Sequence, residues 1–498
     1  MRSLALFLLL AVPALATAQS LGSIDFPTSA QNAEAKAAFE RGVLLLHSFE
    51  YDDARDAFQE ARQLEPFDFP MAAWGEAMTH NRPIWQQQDL EEGRGAIVRL
   101  GDFPNGFDDL EISERERHYL RTARVLFFGE HGQDDKETRD DAFELAMAEL
   151  AAAYPDDLDA QALWALSILG TAHEGRDFPT YMRAAAILEE VFAENPEHPG
   201  AAHYLIHAYD DAVHAPLGLR PALVYDQIAP DASHALHMPS HIYLALGMWD
   251  ETAEMNRRSF EAAKANSERR GEPLNNHGWH ALYWRTYAEL QRGDGETAFE
   301  LLETARQLAE ADPSVLARTH LVRIRAHIAV ETFAWTAQEL TFEIDTEGTS
   351  TTTQAMDLFV RAAASGPTPA ARDIADELRQ LALAPDASAT VRATSLSLDA
   401  MMADADQEEG VAEEQLREAV ELVESRPLTF GPPTPAFPPH EMLGLWLADQ
   451  GRFADAIEAF EGALALTPGR ARTVELLERA QQEVRTRQEF DAAGTERP

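Results

Sequence analysis

The chain of 498 residues contains no cysteine. It therefore has no disulfide bond, and its stability must come from packing alone. A bound metal ion would have to be held by nitrogen and oxygen atoms rather than by thiolate sulfur. The same absence excludes a catalytic cysteine nucleophile.

Positive charge is also scarce. The sequence carries 41 Lys and Arg against 85 Asp and Glu, a formal net charge of −44, and Lys36, Lys136 and Lys264 are its only lysines. This balance argues against nucleic acid or an anionic membrane surface as a partner. No segment after the N terminus is apolar for long enough to span a bilayer, so we expect no membrane span. The oligomeric state is left open.

Common catalytic motifs are missing as well. The sequence has no HExxH, no GxSxG and no glycine-rich phosphate loop. A tryptophan-rich segment runs from Trp74 through His80 to Trp85, and we interpret it as a tight helix crossing rather than as a site. The search for chemistry therefore turns to the residues that the chain does have in excess.

The first 18 residues have the pattern of a secretory signal peptide. Arg2 supplies the positive end, residues 4–12 form the apolar stretch, and Ala16-Thr17-Ala18 gives a cleavage site of small residues. We predict cleavage before Gln19 and export of the mature chain, to the periplasm or outside the cell.

The rest of the sequence is rich in helical periodicity and contains an internal repeat. The string GVLLLHSFEYDDARDAFQEARQLEP begins at Gly42, and GLWLADQGRFADAIEAFEGALALTP begins at Gly444. Both strings place Ala, Phe, Ala and Pro at offsets 12, 16, 19 and 24 from the glycine. This is the helix-turn-helix signature of the tetratricopeptide repeat, in which small residues lie where helices cross closely.

Weaker copies of the repeat lie between these two strings, at about 158–194, 199–229, 234–268 and 277–310, with further helices at about 313–335, 354–364, 368–383 and 388–402. The sequence thus predicts an all-α fold in which residues 19–498 form one right-handed superhelical solenoid of stacked helix pairs. Residues 426–440 are predicted to be a proline-rich connector before the last repeat.

Nine of the seventeen histidines fall between positions 198 and 280, and six of these form pairs at i,i+3 or i,i+4. Such spacing places two imidazoles on one helix face, near enough to bind one metal ion. The pairs are His203/His207, His237/His241 and His277/His280, with His234 beside the second pair.

The repeat geometry brings these pairs together, because the first helices of successive repeats line the concave face side by side. Pro239 disfavours helical angles at the residue before it, so His234 and His237 are expected on a turn that feeds the helix containing His241. We predict a histidine-rich site over residues 198–290. Asp210, Asp211 and His214 are candidate partners that would orient the imidazoles. The remaining histidines of interest are given structural interpretations: His47, His173 and His198.

An all-imidazole donor set suits copper or zinc, with copper favoured over zinc. Six imidazoles also divide into two sets of three, the count found in dicopper centres of another fold. The opposing interpretation is a polar concave face, in which the histidines bond to nearby aspartates and the groove receives a peptide.

Together these strings resemble a bacterial family of large secreted or periplasmic tetratricopeptide-repeat proteins. The most specific matches are NPEHPGAAHYLIHAYDD, SHALHMPSHIYLALGMWDETAEMNRRS and NNHGWHALYW. The resemblance implies the all-helical repeat fold and assigns the seven histidines to family motifs. This chain differs from the family pattern in the acidic turn Asp210-Asp211 and in His214.

Three functions remain open from the sequence. The first is a metal-dependent enzyme, more an oxidoreductase than a hydrolase, that acts on a small molecule or peptide in the concave groove. The second is a non-catalytic metal-binding or metal-delivery protein, and the third is a peptide-binding scaffold. Aromatic residues that could enclose a pocket favour the enzyme: Tyr204, Tyr243, Trp279, Tyr283 and Trp284.

Overall fold

The computed structural model describes residues 20–66, 69–101, 107–129, 135–427 and 429–495, with side chains described as far as residue 489. The predicted signal peptide lies outside these residues. Over the described ranges the chain is helical, apart from one two-stranded hairpin. The prediction of an all-helical tetratricopeptide-repeat fold is confirmed.

The helices of the first half are α1 (Ala33–His47), α2 (Tyr51–Leu64), α3 (Pro70–Met78), α4 (Leu90–Val98), α5 (Glu114–Phe128), α6 (Lys136–Ala153), α7 (Leu158–Gly170), α8 (Phe178–Glu194), α9 (Pro199–Tyr209), α10 (Ala215–Ile228), α11 (Ser233–His237) and α12 (Pro239–Ala245). The hairpin pairs β1 (Asn81–Arg82) with β2 (Gln87–Gln88) in antiparallel register, with a 3₁₀ turn at Pro83–Trp85 between them.

The helices of the second half are α13 (Trp249–Arg270), α14 (Asn276–Gln291), α15 (Gly295–Ala311), α16 (Val315–Thr332), α17 (Thr351–Ser365), α18 (Pro369–Ala382), α19 (Ala389–Ala405), α20 (Glu409–Glu424), α21 (Pro439–Asp449), α22 (Phe453–Leu466) and α23 (Ala471–Thr495), with a 3₁₀ turn at Gln338–Leu340. The predicted helix pairs are all present. Within the described ranges, no helix combines the length and the low charge needed to cross a membrane.

The repeat signature has a direct packing cause. The Phe58 ring lies so close to Gly42 that a Cβ atom there would be 2.6 Å from it, and the Phe460 ring stands at 2.4 Å from the same position on Gly444. Since real Cβ contacts are never so short, each glycine lets the aromatic ring of the second helix pack on the backbone of the first. This explains why both ends of the chain keep glycine and phenylalanine at the same offset.

The solenoid curls until its first repeat meets the helices of the histidine region. Asp53 on α2 accepts hydrogen bonds from Arg270 Nη1 (2.9 Å) and Asn266 Nδ2 (2.8 Å) on α13. Farther along, Trp249 Nε1 donates to the Gly469 carbonyl (3.1 Å). The turn after α1 lies against α9 and α11, because the His47 carbonyl accepts from His203 Nδ1 and Glu50 accepts from the His234 backbone N–H.

Two large apolar cores meet at the histidine region. One contains buried side chains from Leu21 to Tyr243, and the other contains those from Leu244 to Ala480. Sites for small ligands commonly form where two packed units meet, since the junction leaves a cleft between well-supported walls.

Candidate metal centre

Six buried or half-buried histidines form two sets of three in the concave interior. Triad A consists of His203 and His207 from α9 and His234 from α11, and triad B consists of His237 from α11, His241 from α12 and His280 from α14. Within each triad, one nitrogen of every ring lies within 4.8 Å of one nitrogen of the other two. The structure therefore brings together six of the seven candidate ligands.

The grouping differs in one respect from the sequence pairs. The pair His203/His207 stays in one triad, whereas His234 and His237, three residues apart on α11, contribute to different triads. Met238, between α11 and α12, keeps helical angles (φ −55°, ψ −39°), so His241, four residues after His237, lies on the same side of the chain. The prediction that Pro239 would move the residue before it away from helical angles and place His234 and His237 on a turn is wrong, because both histidines lie in α11.

The rings of triad A present free lone pairs to one another. Among the described residues, the buried Nε2 atoms of His203, His207 and His234 have no hydrogen-bond partner. His203 Nδ1 donates to the backbone carbonyl of His47 (2.6 Å), which leaves the lone pair of that ring on Nε2. Three unpartnered buried nitrogens in one place are costly without a ligand and are the donor set that a metal ion requires.

The protonation pattern of triad B leads to the same result. Asn256 Nδ2 donates to the Thr252 carbonyl (2.8 Å), so its Oδ1 faces His237 Nδ1 (2.7 Å) and accepts a hydrogen bond from it. Asp210 Oδ2 accepts from His241 Nδ1 (2.6 Å). Both rings thus carry their proton on Nδ1 in the neutral form, and both Nε2 atoms carry lone pairs.

These two Nε2 atoms, of His237 and His241, face each other at 2.9 Å. Two lone pairs at that distance repel unless a cation lies between them. An ion about 2.0 Å from each nitrogen, as in zinc and copper sites, fits this separation. The residues of triad B therefore fit a metal ion.

The two triads are adjacent. The ring centroids of His207 and His241 are 5.8 Å apart, and those of His234 and His237 are 5.9 Å apart. Two ions held by these rings would be close neighbours within one cavity. Each ion would then have three imidazoles as candidate ligands.

Burial keeps these imidazoles neutral. Desolvation and the neighbouring histidines lower the pKa of His203 to about 3 and hold the pKa values of His207, His234 and His237 well below the ordinary value. His280 is shifted in the same direction, chiefly by burial. Since only a neutral ring can donate a lone pair, the environment prepares the triads to bind a cation.

A third buried group has a different character. His47, Asp159 and His198 also lie within 4.8 Å of one another. His198 Nδ1 accepts from the Ala201 backbone N–H (3.2 Å), because His198 is the N-cap of α9. Its neutral form therefore carries the proton on Nε2, which lies 3.5 Å from Asp159 Oδ1 without forming a hydrogen bond of good geometry.

His47 completes the same pattern. Its Nε2 donates to Asp159 Oδ1 (2.9 Å), and its Nδ1 accepts from the Tyr204 hydroxyl (3.0 Å). The two N–H groups hold the pKa of Asp159 well below its usual value against the effect of burial. This group is a hydrogen-bonded support, which agrees with the structural interpretation of both histidines.

The three other candidates lie at the edge of the site. His277 has its Nδ1 3.4 Å from Glu50 Oε2, and its ring stacks on that of His234 (4.8 Å) without joining a triad. Asp211 accepts from Arg176 Nη2 (2.9 Å) and lies 2.9 Å from His214 Nδ1. Asp210 is thus the member of the acidic turn that contacts a triad.

Asp211 acts on the triads only through the backbone. Arg176, which it binds, donates to the carbonyls of His207 and Ala208 (2.8 Å each) and so fixes the end of α9. His173 lies outside the site, with its Nε2 3.0 Å from Asp141 Oδ1.

A cavity of about 580 Å³ opens onto both triads. It is within the usual size range for small-molecule sites. Its lining includes a member of each triad together with side chains from α1–α2, the hairpin, α13, α14 and α16. Trp284 packs behind triad B, outside the lining, with its ring 4.4 Å from that of His241.

The connector before the last repeat closes one side of this cavity. Gly431 has φ of +83° and lies against Trp284, where a Cβ would be 2.5 Å from the indole ring. This close approach positions the neighbouring Phe430, whose ring lies 5.5 Å from that of His241. The connector is therefore part of the site.

The structure corrects one interpretation of the tryptophan-rich segment. Trp74 is buried in a helix crossing, as predicted, but Trp85 lines the cavity, and its ring contacts those of His207 and His234 (6.3 Å each). The hairpin turn carries Trp85 away from the helix that holds Trp74. None of the five aromatic residues expected to enclose the pocket lines this cavity, and Tyr243 turns its hydroxyl to the Ala222 carbonyl.

Sequence reasoning missed several residues that shape the site: Phe49, Glu50, Asn256, His320 and Phe430. Phe49 and Glu50 belong to the first repeat, which reaches the triads only because the solenoid curls. Asn256 does have a sequence signal, since it is a polar residue at a position where the repeat normally has an apolar one.

Comparisons with protein-family models and with curated sequences give no match. Among solved structures, yeast Tom70 is similar at 12% identity over 91% of this chain and 96% of that chain, with a TM-score of 0.33. The human IFIT1 dimer with m7Gppp-AAAA is similar at 13% identity over 91% of both chains, with a TM-score of 0.37. A structure of the P58(IPK) TPR domain is similar at 14% identity over 92% of this chain and 99% of that chain, with a TM-score of 0.21. These values carry no argument about function, which must be argued from the site itself.

Proposed function

We propose that this protein is a metal-dependent oxidoreductase with a dinuclear copper centre held by triads A and B. The observation that carries the proposal is the pair of three-imidazole sets whose buried lone pairs face one another beside a cavity. Copper bound there would supply one-electron chemistry and a place for dioxygen to bind. We also keep the expectation that the mature chain is exported.

The donor set favours copper. All six donors are imidazoles, which suit copper and zinc, whereas a di-iron site would be built from glutamate and histidine together. The nearest carboxylate, Asp210, is engaged with His241 Nδ1 and orients that ring instead of acting as a ligand. Asn256 and the His47 carbonyl do the same for His237 and His203.

The surroundings favour catalysis over delivery of the metal. Apart from the face toward the cavity, the triads are buried, and Trp284, Phe49 and Phe430 pack against their rings. A protein that hands copper to a partner needs an exposed site, commonly with methionine ligands. The cavity, by contrast, provides space beside both triads for a small substrate.

The test is the metal content and the reaction of the purified full-length mature chain. We expect two copper ions per chain by elemental analysis, and dioxygen uptake when catechol is supplied as a reducing probe. The variant His207→Ala/His241→Ala should lose both properties while keeping its helical circular dichroism, because the repeats fold independently of the site. His173→Ala, outside the triads, should match the wild type.

Other outcomes assign the alternatives. Two copper ions without dioxygen uptake from a range of reducing probes would establish non-catalytic binding. A wild-type protein that takes up no metal and binds an extended peptide would establish the scaffold. Two zinc ions with hydrolytic activity would overturn the oxidoreductase.

A further inference from the structure

The cavity contains two arginines that the protein leaves without acidic partners. The guanidinium groups of Arg82, on β1, and Arg323, on α16, form no ion pair and no hydrogen bond with any residue that the structure describes. Each lies over an aromatic ring instead: Arg82 is 5.3 Å from the centroid of Tyr51, and Arg323 is 5.9 Å from that of Tyr283. In this chain, which has 85 acidic and 41 basic residues, most of the arginines form ion pairs.

The acidic side chains of the same cavity are all engaged. Glu50 is buried and accepts from the Ser233 hydroxyl (2.7 Å) and the His234 backbone N–H (2.9 Å). Asp52 pairs with Arg55 outside the cavity. Asp53 and Glu272 both bind Arg270, the third arginine of the lining.

The positive charge that remains available in the cavity is therefore that of Arg82 and Arg323. The two lie toward different triads. Tyr51, beneath Arg82, stacks on Phe49, whose ring contacts that of His203 in triad A (4.3 Å). Tyr283, beneath Arg323, follows His280 of triad B by one helical turn on α14. An anion in the cavity would meet an arginine at either end.

The cavity also exposes two aromatic rings. Trp85 is 39% exposed and Phe430 is 40% exposed, although both contact histidines of the buried centre. Large aromatic side chains are normally covered, and when they line a concave site they supply flat apolar contact area to a ligand. The walls thus offer flat apolar surface together with unpaired guanidinium groups.

We propose that the ligand of this cavity is a small aromatic anion, whose acidic group binds Arg82 or Arg323 and whose ring packs on the exposed aromatic ring at the same end of the cavity, Trp85 or Phe430. Guanidinium groups match carboxylate and phosphate oxygens in geometry, and both kinds of acid share this chemistry. That the ligand is also a substrate rests on the proposed function. Its binding does not, because the arginines belong to the protein and not to the centre.

The test is calorimetric titration of the copper-loaded full-length protein with benzoate, phenyl phosphate and neutral benzamide. We expect one of the two anions to bind at least about tenfold more tightly than benzamide, since a charge-assisted hydrogen bond to a guanidinium is worth that much. The better anion identifies the acid group. Inorganic phosphate should bind more weakly than phenyl phosphate, because it lacks the ring.

Variants assign the effect to the two arginines. Arg82→Gln/Arg323→Gln should weaken binding of the anion by about tenfold to a hundredfold and leave that of benzamide unchanged. The matched control is Arg392→Gln, because Arg392 on α19 is exposed and outside the cavity lining. Copper content should be the same in all three proteins.

Each outcome is decisive. Equal affinity for benzoate, phenyl phosphate and benzamide would overturn the proposal, and so would unchanged anion binding in the double variant. Repeating the titration on metal-free protein separates the two ideas. Arginine-dependent binding of the anion in a protein that takes up no copper would keep this inference while the dicopper function fails.

Discussion

The triads and the His47–Asp159–His198 group are built from similar side chains at similar distances, yet they can do different things. Both are buried, and both bring potential ligand atoms within 4.8 Å of one another. In the triads, the Nδ1 atoms of His203, His237 and His241 donate outward and leave Nε2 lone pairs that face inward. Hydrogen-bond direction, and not proximity, distinguishes a metal site from a structural support.

The difference originates in what stands at the centre of each group. Asp159 is a negative acceptor that is bonded by His47 Nε2 and lies 3.5 Å from His198 Nε2, so a carboxylate already occupies the centre of that group. Each triad has only imidazoles at its centre, so a cation bound there would come from outside the protein. The two groups are nevertheless linked, because the His47 backbone carbonyl is the acceptor that sets the tautomer of His203.

The largest expected effect comes from removing one histidine of each group. His241→Ala should abolish binding of the ion at triad B, because two imidazoles alone hold copper far less tightly than three. His198→Ala should keep both ions, although it removes the N-cap of α9 and lowers thermal stability. Metal content by elemental analysis, with circular dichroism to confirm folding, measures the contrast. Loss of copper in His198→Ala with His241→Ala unchanged would reverse the assignment.

The stability of the metal-free protein and that of the copper-loaded protein should respond differently to a fall in pH. The pKa values of His207, His234, His237 and His280 are lowered in the folded state by burial, so the unfolded chain takes up protons first as pH falls. Stability of the metal-free protein is therefore full above about pH 6.5 and declines below it, by about 1.4 kcal/mol per pH unit for each such histidine.

In the loaded protein, protons must also displace copper, so its unfolding transition should begin at a lower pH. The pH at which the folded protein loses copper is expected to lie below the free histidine pKa of about 6.5, because burial lowers the pKa of these imidazoles. Urea denaturation between pH 4 and 8, with and without copper, measures both curves. Coincident curves would mean that the triads hold no metal.

The carboxylates of the two groups offer a finer comparison. Asp210→Asn should weaken copper binding at triad B by about tenfold to a hundredfold, because the carboxylate that orients His241 and raises its basicity is lost. Asp159→Asn removes the charge that both histidines of the supporting group face, and it should lower stability without changing copper affinity. Competition with a chelator of known affinity gives the two constants. Equal affinities in the two variants would deny Asp210 its role.

Much of this arrangement could be predicted from the sequence. The glycine and phenylalanine offsets gave the repeat, because one packing contact recurs at both ends of the chain. Helical spacing then placed His203 with His207 and His237 with His241. These features depend on residues that are close in sequence, so the spacing of those residues predicts them.

The other features of the site depend on how far the solenoid curls, which the spacing of residues close in sequence does not predict. Glu50 and Phe49 reach the site from the first repeat, and Trp85 reaches it on a hairpin that the helical periodicity did not predict. The curl also explains why His277, which the sequence paired with His280, joins neither triad. Glu50, from the distant first repeat, lies against His277 and holds it at the cavity wall.

The smallest expected effect tests whether the supporting group is only a support. Tyr204→Phe removes the hydroxyl that donates to His47 Nδ1 (3.0 Å) and leaves that buried nitrogen without a partner. The free energy of unfolding should fall by about 1–2 kcal/mol. Copper content should stay at the wild-type value, because the His47 carbonyl still accepts from His203.

Tyr225→Phe is the matched control, since it removes a buried hydroxyl whose partner is Ser48 Oγ (3.3 Å) and not His47. Denaturant unfolding and elemental analysis of both variants separate stability from metal binding. A lower copper content in Tyr204→Phe but not in Tyr225→Phe would show that the ring of His47 controls triad A through its own backbone. The His47–Asp159–His198 group would then count as part of the metal centre, because it would adjust the ligand that it contacts.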